Sequence, residues 1–204
     1  MHSSKINFPQ YDTKRYQIRL MTEDDIPKLV DMRPGFVSDT VLKVGKTGTG
    51  YLTGWQLVEV KLDQPYDKGR GYNFDRNERE GIAKRLEQPD ALEKVVIDNT
   101  SGQIVGILDV TTESWRNIAW IWNIMLDVDV RGQGLGHALI QQCIAWAKEK
   151  DLRAIMLETQ TNNVPACKFY QAMAFELVGI NDLFYTNRDI NRDEVALFWA
   201  YRLK

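Results

Sequence analysis

The chain reads as a mixed α/β fold of the α+β kind, a central mixed, mostly antiparallel sheet with helices on both faces. Three observations predict it. Strand-like stretches arrive in neighbouring pairs joined by turn chemistry, rather than alternating strictly with helices. Two stretches, residues 134–150 and 164–173, carry apolar side chains at helical spacing. The 204 residues fit one domain spanning 1–204, long enough to bury roughly 70% of its unfolded surface without a metal or disulfide staple.

Each element follows in order. Residues 16–20 (YQIRL) alternate as a strand. Thr22 can cap a helix whose first turn holds Glu23, Asp24 and Asp25, and Ile26, Leu29, Val30 and Met32 give it an apolar face. Residues 33–54, rich in Gly, Thr and Ser, are expected to form a flexible loop near a substrate or on the surface. Within that stretch Val44, Gly45, Lys46 and Thr47 suggest a P-loop, but Thr40 stands where its first glycine belongs, so the motif fails. Residues 58–62 (VEVKL) alternate as an exposed strand, and residues 76–87 form a charged helix that stops before Pro89.

Residues 94–98 and 104–112 should pair as a hairpin across the turn at Asn99, Thr100, Ser101 and Gly102. A third strand covers 119–128. Helix 134–150 repeats Leu135, Leu139, Cys143 and Trp146 on one side. Strand 154–158 follows. Helix 164–173 then places Ala166, Phe169, Tyr170 and Met173 at i, i+3, i+4 and i+7, and two strands, 177–185 and 195–203, close the chain.

Bulk properties exclude several functions. Composition is that of a globular protein, 44% hydrophobic and 26% charged, with a net charge of −2. A nucleic-acid surface needs a basic excess, and there is none. No run of apolar residues is long enough to span a membrane, and residues 1–10 lack a signal-peptide pattern, so a cytoplasmic protein is expected. Cys143 and Cys167 are too far apart for a redox or metal motif and suit a reducing compartment as buried thiols. His2 and His137 are the only histidines, which leaves no histidine metal cluster and no Ser/His/Asp triad.

The sharpest signal is Arg131-Gly132-Gln133-Gly134-Leu135-Gly136, directly after a strand and opening a helix. Glycines let a ligand approach the backbone, and the first helical N–H groups together with the helix dipole favour an anion such as a pyrophosphate. The dinucleotide fingerprint needs a different glycine spacing, GxGxxG, and does not match.

In order and interval, the strand, this turn, the helix, the next strand, Asn163 and a helix bearing Phe169 and Tyr170 resemble the GNAT superfamily of N-acetyltransferases, firmly over residues 94–185. The resemblance implies acetyl-CoA as cosubstrate and no metal. It also implies that the backbone at Leu126 and Val128 pairs with the pantetheine arm. Arg131, Gly132, Gln133, Gly134, Gly136 and His137 would hold the pyrophosphate, and Asn163 would contact the cofactor. Tyr170 would stand by the thioester sulfur. There a phenol can protonate the departing thiolate as general acid, an effect typically of roughly 10² to 10⁴ in rate; a core tyrosine is the plain alternative.

The acceptor amine must arrive unprotonated, so a base is wanted. Many superfamily members carry an acid where this chain has Trp122, beside Asn123. Glu113, Asp127 and Glu158 are the candidates elsewhere. Ala174 departs from the glycine that relatives carry at a left-handed helix end, at a cost of about 1–2 kcal/mol.

Leu157 to Gln160, Asn162, Asn163, Ala166 to Tyr170, and Phe198-Trp199 look like the streptothricin acetyltransferases, antibiotic-resistance enzymes that acetylate a lysine-type amine. Those tend to have an acidic pair at Trp122 and Asn123. The middle segment is also less acidic than a polycationic acceptor favours, since it contains Arg70, Arg76 and Arg79. The expected reaction is direct transfer of acetyl from acetyl-CoA to a small-molecule primary amine. A peptide or protein N-terminal acetyltransferase and a non-catalytic acyl-CoA sensor are the alternatives. The expected partner is the amine, with no nucleic acid and no membrane, and a homodimer is compatible with all of this.

Overall fold

The computed structural model describes residues 9–69 and 73–204. His2 and Arg70 lie outside the described residues. The chain divides into two compact units.

The first unit takes Met1–Gly35, Arg70–Ile155 and Arg202–Lys204. Its strands are β1 (Tyr16–Leu20), β4 (Ala91–Asp98), β5 (Ile104–Glu113) and β6 (Ile118–Leu126), in the order β1-β4-β5-β6, every pair antiparallel. The β4–β5 hairpin turns where expected: the Gly102 N–H donates to the Asp98 carbonyl at 2.7 Å and the Thr100 N–H to the Asp98 carboxylate at 2.8 Å. Ile104 through Thr111 are all buried. Ile107 packs with Met21, Ile26, Leu29, Phe74, Ile82 and Val95. Its neighbours Leu108 and Val110 point to the opposite face and are equally buried, so helices and loops cover the sheet on both sides. Helix α1 (Arg76–Leu86) packs on β4 and β5, and α2 (Leu135–Glu149) on β6.

The segment after β1 is helical but tighter than expected, a 3-10 helix over Glu23–Asp31. Pro27 inside it has no N–H to give to an α-helical ladder. The Asp25 carboxylate accepts from the Thr22 N–H at 2.9 Å and from Arg19, and this holds the entry.

The second unit takes Phe36–Gly69 and Met156–Tyr201. Here the expected loop over 33–54 is corrected. β2 (Val37–Thr47) pairs antiparallel with β3 (Gly54–Asp67), so most of that stretch and the short strand at 58–62 belong to one long hairpin. A bulge between Ser38 and Thr40 breaks the two-residue alternation that marks a strand, and the glycines gather at the tip, where Gly48 and Gly50 take positive φ. The unit also holds most of β7 (Ala154–Gln160), α3 (Val164–Ala172), β8 (Glu176–Asn181) and most of β9 (Ala196–Arg202), with the strands in the order β7-β9-β8. β8 ends short of the expected 185, because the chain turns at Leu183, whose N–H caps onto the Asn181 side chain at 3.0 Å.

Helix α3 ends in a Schellman motif. The Phe175 N–H donates to the Tyr170 carbonyl at 3.0 Å and the Ala174 N–H to the Gln171 carbonyl at 3.1 Å, with Ala174 left-handed at φ 63°. A Cβ in that conformation is strained. Ala174→Gly is therefore expected to stabilise the protein by about 1 kcal/mol. Thermal unfolding should show a rise of about 2–4 °C.

Candidate active site

In the first unit, β6 stops at Leu126, two residues earlier than the alternation suggests. Asp127 caps a 3-10 turn over Val128–Val130 by accepting from the Asp129 N–H, and the Val128 N–H donates to the Arg33 carbonyl at 3.2 Å. Val128 therefore lies outside the strand, and its N–H is not available to a pantetheine chain running along it. Leu126 ends the strand opposite Gly106. Its carbonyl accepts from the Arg131 guanidinium at 2.9 Å, and that same group donates to the Pro34 carbonyl at 2.8 Å. Burial lowers the Arg131 pKa. Its side chain thus fastens the turn to neighbouring backbone. The Gln133 side chain is likewise engaged, accepting from the Tyr16 hydroxyl at 3.0 Å.

The first intrahelical bond of α2 runs from the Ala138 N–H to the Gly134 carbonyl at 3.0 Å, so the N–H groups of Leu135, Gly136 and His137 precede the ladder. Gly134 supplies no side-chain cap, and the first turn contains no acid. N–H groups at the positive end of a 15-residue helix suit a phosphate group. Gly134 itself is needed for a reason within the chain. It is left-handed at φ 84°, and the Pro9 carbonyl oxygen stands 2.0 Å from where its Cβ would be. The close approach there is that of the amino-terminal segment. Gly132, at φ 74°, faces open space.

In the second unit, β7 leads into α3. Asn163 is the N-cap of α3; its side-chain oxygen accepts from the Ala166 N–H at 3.2 Å. Tyr170 is buried, with its ring against Phe169, Phe175 and Trp199 at centroid distances of 5.4, 5.8 and 6.3 Å.

The three candidate bases separate clearly. Glu113 accepts from Arg116 in an ion pair at a turn. Asp127 is spent on the Asp129 N–H and on the Arg33 N–H, the latter at 3.1 Å. Glu158, on β7, is different. Burial pushes its carboxyl up to about 6, against the Tyr185 hydroxyl, which donates to it and pulls the other way. A carboxyl poised there can hold a proton or release it near neutral pH.

The missing acid at Trp122 and Asn123 also has a local account. A bulge in β6 sets Asn123 opposite Asp109 and Ile121 opposite Val110, with Trp122 as the extra residue. The Asn123 amide donates to Asp109 and to Glu78, both at 2.9 Å, and Arg85 grips Asp109 in a bidentate pair. Glu93, across the strand from Asp109, is buried beside it. Burial, and then the charge of Asp109, drive the Glu93 carboxyl far above the usual carboxylate range, so it keeps its proton. Sequence reasoning missed this row. Its one trace was an aspartate inside the apolar run of β5.

Cys143 and Cys167 are free and buried, and burial pushes both thiols up to about 12. Neither is a ready nucleophile at neutral pH. Among the described residues no helix is long and apolar enough to cross a membrane.

Residues 56–175 match the model of the acetyltransferase (GNAT) family, and the chain belongs to that family. It is an acetyl-CoA-dependent N-acetyltransferase. A streptothricin acetyltransferase of Escherichia coli is 38% identical over 99 residues, which cover 48% of this chain and 56% of the relative's length. Streptothricin acetyltransferase A of Bacillus subtilis (strain 168) is 29% identical over 148 residues, 72% of this chain and 80% of the relative. A Bacillus anthracis str. Ames structure in complex with acetyl coenzyme A superposes with a TM-score of 0.74 at 26% identity, over 95% of this chain and 100% of that one.

Proposed function

We propose that the protein moves the acetyl group of acetyl-CoA directly to a primary amine of a small molecule of the streptothricin type, with Glu158 as general base and Tyr170 as general acid. The observation that carries this is Glu158. It is a half-buried carboxyl raised to about 6 on β7, the strand that leads into the helix of Tyr170. Above that pH it can take the ammonium proton, directly or through a water, so that nitrogen can attack the thioester carbonyl. Tyr170 would return a proton to the sulfur as the thiolate departs. The high pKa of both thiols supports direct transfer over an acyl-enzyme. The acceptor class is supported by the names of the two relatives, each of which is a streptothricin acetyltransferase.

Acetyl-CoA would lie with its pyrophosphate on the N–H groups from Gly132 to His137, its arm along the end of β6 at Leu126, and a contact at Asn163; Val128, spent on Arg33, would not take part. Arg131 and Gln133 would hold the turn in shape. At 100 times its dissociation constant, acetyl-CoA should stabilise the protein by about 2.7 kcal/mol. A thermal melt should rise by about 5–10 °C, and NAD and ATP should give much less. Equal shifts with all three would remove the assignment of the turn. The acceptor is tested by thiol release from acetyl-CoA across a panel of streptothricin-type amines, polyamines and peptides with free amino termini. The reading expects the streptothricin-type amine to give the highest kcat/KM. A peptide that outperforms it would transfer the assignment to a protein N-terminal acetyltransferase.

A further inference from the structure

The loop between β8 and β9 is built around Asp189, which is 1% exposed. Its carboxylate accepts from the Tyr185 N–H at 2.9 Å and from the Thr186 N–H and hydroxyl, both at 2.7 Å. Its carbonyl accepts from the Glu194 N–H at 3.0 Å. One buried aspartate thus fastens both ends of the loop, and both ends act on the same side chain of β7. The Tyr185 hydroxyl donates to Glu158. Glu194 stands close enough for its charge to hold a proton on Glu158, and Lys68, which pairs with Glu194 at 3.0 Å, acts with the opposite sign. Cys167 is a further titratable neighbour, and burial keeps its thiol protonated.

These influences are not equivalent. A nearby charge changes only the energy of the carboxylate. A hydrogen bond from a phenol also fixes its direction, because the O–H must point at the accepting oxygen. Donation to a carboxylate favours the ionised form over the acid. Burial and Glu194 favour the acid, and Tyr185 opposes them. The hydroxyl occupies Oε1 of Glu158, which leaves Oε2 to take a proton. The tyrosine itself is fixed twice, by Asp189 at its N–H and by the Phe184 ring, edge-on at 5.0 Å.

We propose that Tyr185 is a positioning residue for the transfer: held by Asp189, its hydroxyl keeps the Glu158 carboxyl in one orientation and favours its ionised form. The proposal rests on Glu158 as the base.

Tyr185→Phe tests it, because the substitution removes the hydroxyl and keeps the ring. Carbon NMR of the glutamate carboxyls follows Glu158 directly, its signal being the one missing from Glu158→Gln. In the wild type that signal should titrate near 6. In Tyr185→Phe it should titrate at about 7 or higher, since losing a hydrogen bond to a charged group is typically an effect of about tenfold or more. The rate should follow. The ratio of variant to wild-type kcat/KM cancels the acceptor's own titration, and it should climb from about 0.1 at acid pH to about 1 at alkaline pH. A tyrosine that only packed would give a ratio independent of pH. On the Glu158→Gln background Tyr185→Phe should cost nothing more, because the hydroxyl acts through the carboxyl. If circular dichroism shows that Tyr185→Phe is not folded, fluorotyrosine at position 185 serves instead. Its hydroxyl is the stronger donor, so the Glu158 signal should move to lower pH. A Glu158 signal that titrates alike in wild type and variant overturns the proposal. A signal that moves while the rate ratio stays flat upholds the contact and overturns Glu158 as the base.

Discussion

Glu158→Gln is expected to lower kcat/KM for the amine by roughly 10² to 10⁴ while acetyl-CoA affinity stays within about twofold. The amide keeps the shape of the carboxyl, and its oxygen can still accept from the Tyr185 hydroxyl that donates to Glu158. What is lost is the ability to take a proton. The pH dependence has a definite sign. Burial raises the carboxyl to about 6, so the competent carboxylate is populated only above that pH. Wild-type kcat/KM should rise as pH climbs through about 6, and the variant should lose that limb. A further rise at higher pH reports the acceptor's own amine, which for a lysine-type group titrates near about 10.4. If the variant keeps both its rate and the limb near 6, another group is the base.

Tyr170→Phe should show an equally large loss with a different signature. Phenylalanine preserves the ring that packs on Phe169, Phe175 and Trp199 and deletes the proton for the leaving thiolate. A contact made only in the transition state lowers kcat and kcat/KM together, here by roughly 10² to 10⁴. Because the ring is buried, a purely structural tyrosine would reveal itself as a lower melting temperature with turnover per folded molecule nearly intact. The two variants also separate from one another. Glu158→Gln removes the limb near pH 6, whereas Tyr170→Phe retains that limb at a lower rate.

Much of the first unit was legible because its strands alternate cleanly and its turns carry turn residues. The β4–β5 hairpin around Asn99 to Gly102 and the glycine turn into α2 are both local features, so spacing alone located them. Residues 33–54 were opaque for a physical reason. The bulge at Ser38 and Thr40 breaks the period of β2, and the glycines of the tip suggested a loop. Long-range contacts were equally hidden. Nothing near Gly134 in the sequence announces that Pro9 lies against it. Glu158 was one of three candidates on equal terms, since its distinguishing partner, Tyr185, comes from a distant segment and its burial from the packing of the whole unit. The Glu93, Asp109, Arg85 and Asn123 row needed cross-strand register and a helix laid over it before its members became neighbours.

The central claim is direct acetyl transfer from acetyl-CoA to a small-molecule amine. The most direct measurement incubates the protein with acetyl-CoA labelled in the acetyl group and a streptothricin-type acceptor, then locates the label by mass spectrometry of the quenched mixture. The account predicts label on one amine of the acceptor, in step with thiol release, and none on the protein. Label accumulating on Cys143 or Cys167, or thiol release with no label on any amine offered, would contradict it.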